Sequence, residues 1–162
     1  MDKSNLKPGN LRRIKSLAVL SDEQLAAFLN YVDVVTCAFS ETLFREGQPG
    51  DSMFMILDGQ MRVYTKTRGG EILFLRMLDA GDTFGEVALL NQAARSASVE
   101  AVRESVLIKM TSGALQKLVS EQPDAAAPFL HFLARTVGRQ LSEMTVKLRA
   151  RMEQPDMLSF LQ

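Results

Sequence analysis

The chain is poor in cysteine and histidine, and neither sign of charge is in excess. Its 162 residues hold one cysteine and one histidine. Cys37 alone permits no internal disulfide, which suits a reducing cytoplasm. His131 has no companions, and zinc, haem and iron–sulfur centres need clusters of His or Cys ligands, so no metal or cofactor is expected. Lys and Arg number 19 and Asp and Glu number 19, for a formal net charge of zero. No basic field is available to gather nucleic acid, and DNA binding by this chain alone is not expected. Long apolar runs are missing too. None approaches the ~20 residues of a membrane span, so no membrane partner is expected. The stretch from Met1 to Asn10 lacks the apolar centre of a signal peptide. No nucleophile–base constellation stands out, so an enzyme is not expected.

What remains is ordinary globular composition, 46% hydrophobic and 23% charged, in a length that suits one domain with a substantial core. Residues 1–9 are polar, contain Pro8-Gly9, and read as a flexible N-terminus. Over residues 10–20, Leu11, Ile14, Leu17, Ala18 and Leu20 fall at helical spacing. Ser21 to Gln24 fits a capping box that opens a second helix, with Leu25, Phe28 and Leu29 on its buried face.

From Tyr31 the apolar period changes to two. Val35, Cys37 and Phe39 predict one face of a strand, with Cys37 as a small buried residue. Thr42–Gly47 is a short strand entering a turn, and further short strands follow at Met53–Leu57, Gln60–Lys66 and Glu71–Leu78, then near Ala97–Ala101 and Ser105–Met110. Asp58-Gly59 predicts a two-residue hairpin, and Arg68-Gly-Gly70 a second turn. Turn signals about every ten residues argue an all-β sandwich or barrel. The last third is helical. Thr111 or Ser112 caps a helix carrying Leu115, Leu118 and Val119. A long helix then spans about Asp124–Arg151, with Pro128 tolerable only in its first turn. Ala134, Val137, Leu141, Met144 and Leu148 form a heptad-like seam along it. That seam suits either packing against the barrel or pairing with a second copy.

One stretch carries chemistry, from Phe84 to Val99. Gly85 lets backbone approach a ligand. The helical turn after it presents free N–H groups that favour an anion. Arg95, nine residues after Glu86, returns a planar fork of donors matched to phosphate oxygens, with the Ser96 hydroxyl beside it. Glu86 would repel a phosphate, so it makes sense as an acceptor from sugar hydroxyls. Sugar plus phosphate implies a nucleotide.

Gly85, Glu86, Ala88, Leu89, Arg95, Ser96 and Ala97 resemble the phosphate-binding cassette of the cyclic nucleotide-binding domain family, found in catabolite activator protein, cyclic-nucleotide-gated channels and kinase regulatory subunits. Ala94 stands where that cassette usually has proline. Arg45-Glu-Gly47, Gly50-Asp51, Asp58-Gly59 and Gly81-Asp82 also sit where the family places them, so the resemblance spans roughly Leu17 to Leu148.

The resemblance implies an α+β, mainly β fold: an eight-stranded antiparallel jelly-roll barrel with N-terminal helices and a long C-terminal helix. The domain would cover 10–152, with the jelly roll over about 31–110, helices over about 111–152 and a tail at 153–162. It implies a ligand, cAMP rather than cGMP. Glu86 would hold the ribose 2′-hydroxyl and Arg95 the cyclic phosphate. Val87, Ala88 and Ser96 would complete the cradle, flanked by Phe84 and Ala97. Arg135, Thr136, Arg139 and Gln140 are the helix residues placed to contact the base. The output would be movement of the C-terminal helix, read by an effector protein or an attached effector domain. The alternatives are a degenerate domain serving in dimerisation or protein interaction, and the sensor half of a truncated transcription regulator.

Overall fold

The computed structural model describes residues 5–153. Eight strands run in order: β1 (Asp33–Cys37), β2 (Thr42–Phe44), β3 (Ser52–Asp58), β4 (Gln60–Lys66), β5 (Ile72–Asp79), β6 (Thr83–Phe84), β7 (Ser98–Ala101) and β8 (Ser105–Thr111). Helix α1 (Asp22–Phe28) precedes them, α2 (Glu86–Asn91) interrupts them, and α3 (Ser112–Glu121) and α4 (Pro123–Glu153) follow. All strand pairing is antiparallel, in two sheets ordered β1-β8-β3-β6 and β2-β7-β4-β5. The expected barrel is therefore two facing open sheets of jelly-roll type.

The apolar run at Met53–Leu57 has a simple cause. Successive strand side chains point to opposite faces. Phe54 and Ile56 enter the core between the sheets, beside Cys37, Val63, Phe84 and Leu107. Met53, Met55 and Leu57 enter a second core against the helices, with Leu25, Phe28, Leu118 and Phe129. The first sheet is thus the middle of three layers, so both of its faces must be apolar. Burial pushes the Cys37 thiol above its ordinary pKa, chiefly by desolvation.

Several expectations are corrected. Residues 10–20 are not an α-helix. The chain makes a 3₁₀ turn at Pro8–Arg13 and then successive three-residue turns, with Ile14, Leu17 and Leu20 each donating to the carbonyl three residues back. Leu11, Ile14, Leu17 and Leu20 are buried at a strict spacing of three, while Ala18 is exposed. These turns begin inside the segment expected to be flexible, where Leu6 is already buried. Phe39 lies past the end of β1 and is exposed. Asp58-Gly59 closes no hairpin, because β3 and β4 belong to different sheets and the pair carries the chain from one to the other. A Cβ on Gly59 would lie 2.1 Å from Ser105 Oγ, so the crossing packs on β8 too closely for any side chain.

The two helix caps stand as read. Ser21 Oγ accepts from the Gln24 amide and Gln24 Oε1 accepts from the Ser21 amide, a complete capping box. Thr111 caps α3 by accepting from the Ala114 amide. Pro128 sits in the second turn of α4, deeper than expected. Having no N–H, it leaves the Asp124 carbonyl without a helical donor. Gln24 Nε2 donates to that oxygen at 2.9 Å. Of the seam on α4 only Val137 is half-buried; Ala134, Leu141, Met144 and Leu148 are exposed.

Candidate functional site

The site forms where β6 gives way to α2. Phe84 pairs opposite Phe54 across β3 and β6, and their rings stack with centroids 5.5 Å apart. Gly85 then takes the left-handed conformation at φ 86°, which an L side chain resists, and turns the chain directly into α2. Phe44 closes on both rings, 5.9 Å from Phe54 and 6.1 Å from Phe84.

Arg95 lies on this aromatic floor, its guanidinium 4.1 Å from the Phe44 ring centroid. Its backbone is held at both ends. The amide donates to the Gln48 carbonyl and the carbonyl accepts from the Gly47 amide, each at 2.8 Å. Nη1 donates to the Ser52 carbonyl and Nη2 to Ser52 Oγ. Two glycines clear its path: a Cβ on Gly50 would meet Nε at 2.8 Å, and one on Gly85 would meet Nη1 at 2.9 Å. Arg95 is 7% exposed, and no carboxylate forms an ion pair with it among the described residues. Burial pushes the guanidinium below its ordinary pKa, and the more distant charge of Asp51 draws it part of the way back. A buried cation without a paired anion is costly. A bound anion would relieve that cost.

Glu86, the first residue of α2, is 3% exposed. Thr83 Oγ1 donates to its Oε1 at 2.7 Å, the only side-chain hydrogen bond to Glu86 among the described residues. Buried carboxylate and buried guanidinium therefore share a wall without pairing with each other. Phe84, Gly85, Glu86, Val87, Ala88, Arg95, Ser96 and Ala97 all line one pocket, which Gln140 of α4 also borders. Among them Val87 and Ser96 are exposed, and Ala88 is buried. The hydroxyl of Ser96 and the guanidinium of Arg95 thus stand beside the start of a helix whose first amides have no carbonyl partners within it.

The four helix residues separate. Gln140 lines the cassette pocket. Thr136 and Arg139 line an adjoining cleft that also contains Gln140. Arg135 lines neither; it lines a groove with His131, Thr136 and Arg139 that no cassette residue borders. The sequence reading missed Arg76, which lines both the cassette pocket and the adjoining cleft. Its signal was present, since it is the one charged residue in the apolar run from Ile72 to Leu78. Ser52 and Thr83, which hold Arg95 and Glu86, gave no signal of their own. Among the described residues no group of His, Cys, Asp or Glu could hold a metal, and no helix is long and apolar enough to cross a membrane.

The profile of the family described as "Cyclic nucleotide-binding domain" matches residues 35–122. The chain is 28% identical over 141 residues to the Cyclic AMP receptor protein of Thermus thermophilus, covering 87% of this chain and 60% of that protein. It is 26% identical over 115 residues to the CRP-like cAMP-activated global transcriptional regulator of Mycobacterium tuberculosis, covering 71% of this chain and 51% of that protein. The chain thus spans about half to three-fifths of the length of these relatives. Among solved structures, the N-terminal domain of a transcriptional regulator from Streptomyces coelicolor A3(2) superposes with a TM-score of 0.73 at 30% identity, covering 83% of this chain and 94% of that one.

Proposed function

The chain belongs to the cyclic nucleotide-binding domain family, and from that premise we propose that it is a non-enzymatic sensor module whose ligand is cAMP. The observation that carries the reading is Arg95, a buried guanidinium with no carboxylate partner among the described residues, lining a pocket that Glu86 also lines. In this reading Arg95 neutralises the cyclic phosphate, with the Ser96 hydroxyl and the backbone of Val87 and Ala88 completing the cradle. Glu86 accepts from the ribose 2′-hydroxyl. Gln140, across the pocket, meets the base. A glutamine amide can pair with adenine N6 and N7 together, which favours cAMP over cGMP. The names of the Thermus and Mycobacterium relatives support the same choice.

Binding at Gln140 ties the ligand to α4, and a ligand that prefers one position of the helix shifts the population toward it. Helix position is then the output, read in the cytoplasm by an effector protein or by further chain. The exposed seam at Leu141, Met144 and Leu148 favours a second copy of this chain as one protein partner.

The test is calorimetric titration of cAMP and cGMP into wild type and Arg95→Ala, with amide exchange along α4 at saturation. Wild type should bind cAMP more tightly than cGMP. Arg95→Ala leaves a buried phosphate unpaired, costing about 2–5 kcal/mol, or roughly tens to thousands of fold in affinity. Equal affinity in the two proteins would end the assignment of Arg95, and unchanged exchange along α4 would end the proposed output.

A further inference from the structure

We propose that Thr83 is a positioning residue for ribose recognition, acting through Glu86; the inference rests on the cyclic nucleotide reading above. Glu86 is almost fully buried, yet no cation pairs with it among the described residues. A buried carboxylate in that state needs hydrogen-bond donors. Thr83 supplies one, its hydroxyl donating to Oε1 at 2.7 Å. Oε2 has no partner among the described residues, so it is the oxygen left to accept from a ligand.

The arrangement is set by the strand. Thr83 pairs with Met55 across β6 and β3, so its backbone is fixed by the middle sheet. Glu86 lies three residues on, past the left-handed turn at Gly85. Thr83 itself lines the cleft beside the cassette pocket and not the pocket where the eight cassette residues meet. Its hydroxyl is committed to the carboxylate, and through that carboxylate it acts on the ligand. With one oxygen anchored, the carboxylate's rotation is restricted and the free oxygen keeps its direction, so less ordering remains to be done when the sugar arrives.

Removing the Thr83 hydroxyl should therefore matter only for ligands that carry the 2′-hydroxyl. The experiment titrates cAMP and 2′-deoxy-cAMP into wild type, Thr83→Val and Thr83→Ser, with a thermal melt of each protein. Thr83→Val keeps the branched shape and loses the donor. It should weaken cAMP binding by about tenfold or more, the scale of a hydrogen bond to a charged group. The affinity for 2′-deoxy-cAMP should change by less than about threefold, and Thr83→Ser should restore most of the loss. The preference for ribose over deoxyribose would then shrink without any loss of fold. Equal weakening toward both ligands, or no weakening toward either, overturns the role of Thr83 while leaving the cyclic nucleotide reading in place. Wild type that binds neither cAMP nor cGMP overturns that reading and this inference with it.

Discussion

At the scale of single residues, the site is an arginine made room for by missing side chains. Gly50 and Gly85 flank the Arg95 guanidinium so closely that a Cβ at either position would lie within 3 Å of it. Gly85 adds a backbone constraint, because its φ of 86° is disfavoured for any L residue. Gly85→Ala should therefore cost about 1–3 kcal/mol of folding stability and displace Arg95 from Ser52 in the same step. Urea denaturation and cAMP titration on one sample should show both losses together. A variant with wild-type stability would mean that the turn relaxes into another conformation. Glu86 and Arg95 were legible because their chemistry is unusual in a short apolar loop. Thr83 and Ser52 were not, because a hydroxyl residue in a strand is unremarkable until its partner is known.

At the scale of elements, Gln24 joins two helices that are far apart in sequence. Its Oε1 closes the capping box of α1, and its Nε2 donates to the Asp124 carbonyl. That carbonyl is orphaned because Pro128 cannot donate to it. The Pro128 ring therefore costs α4 less than an isolated helix would suggest. Gln24→Ala removes both bonds, and we expect a loss of about 1–3 kcal/mol, the sum of a cap and an unsatisfied carbonyl. Gln24→Glu keeps an acceptor for the Ser21 amide but offers no donor to Asp124, so it should fall between the two in a denaturant titration. Equal stability of Gln24→Ala and wild type would show that solvent satisfies both ends. The capping box was readable because it is local. The bond to Asp124 joins residues a hundred apart, and no periodicity reports it. The same limit explains Asp58-Gly59, whose composition signals a reversal but not whether the next strand joins the same sheet. The segment at 10–20 was misread for a finer reason: its buried leucines and isoleucine recur every three residues, the period of 3₁₀ turns.

At the scale of the whole molecule, three layers account for nearly every buried apolar side chain among the described residues, and one of the apolar surfaces left exposed joins two elements. It is the side of α4 past Gln140, where Leu141, Met144 and Leu148 are exposed, together with the outward edge of β5 at Leu75. Sequence alone allowed this seam to pack on its own domain or on a second copy, and its exposure removes the first choice beyond Gln140. Leu141, Met144 and Leu148 recur at spacings of three and four, the pattern by which two helices interlock. We expect the protein to sediment as a dimer at micromolar concentration. Leu141→Glu combined with Leu148→Glu should return it to a monomer, since a buried like-charge pair would form at each contact. The melting temperature of the dissociated variant should stay close to that of wild type diluted to the monomer, because neither leucine is buried within one chain. If wild type is monomeric at every accessible concentration, the seam must serve a different protein, and the reach of the nucleotide signal along α4 would end at that partner instead.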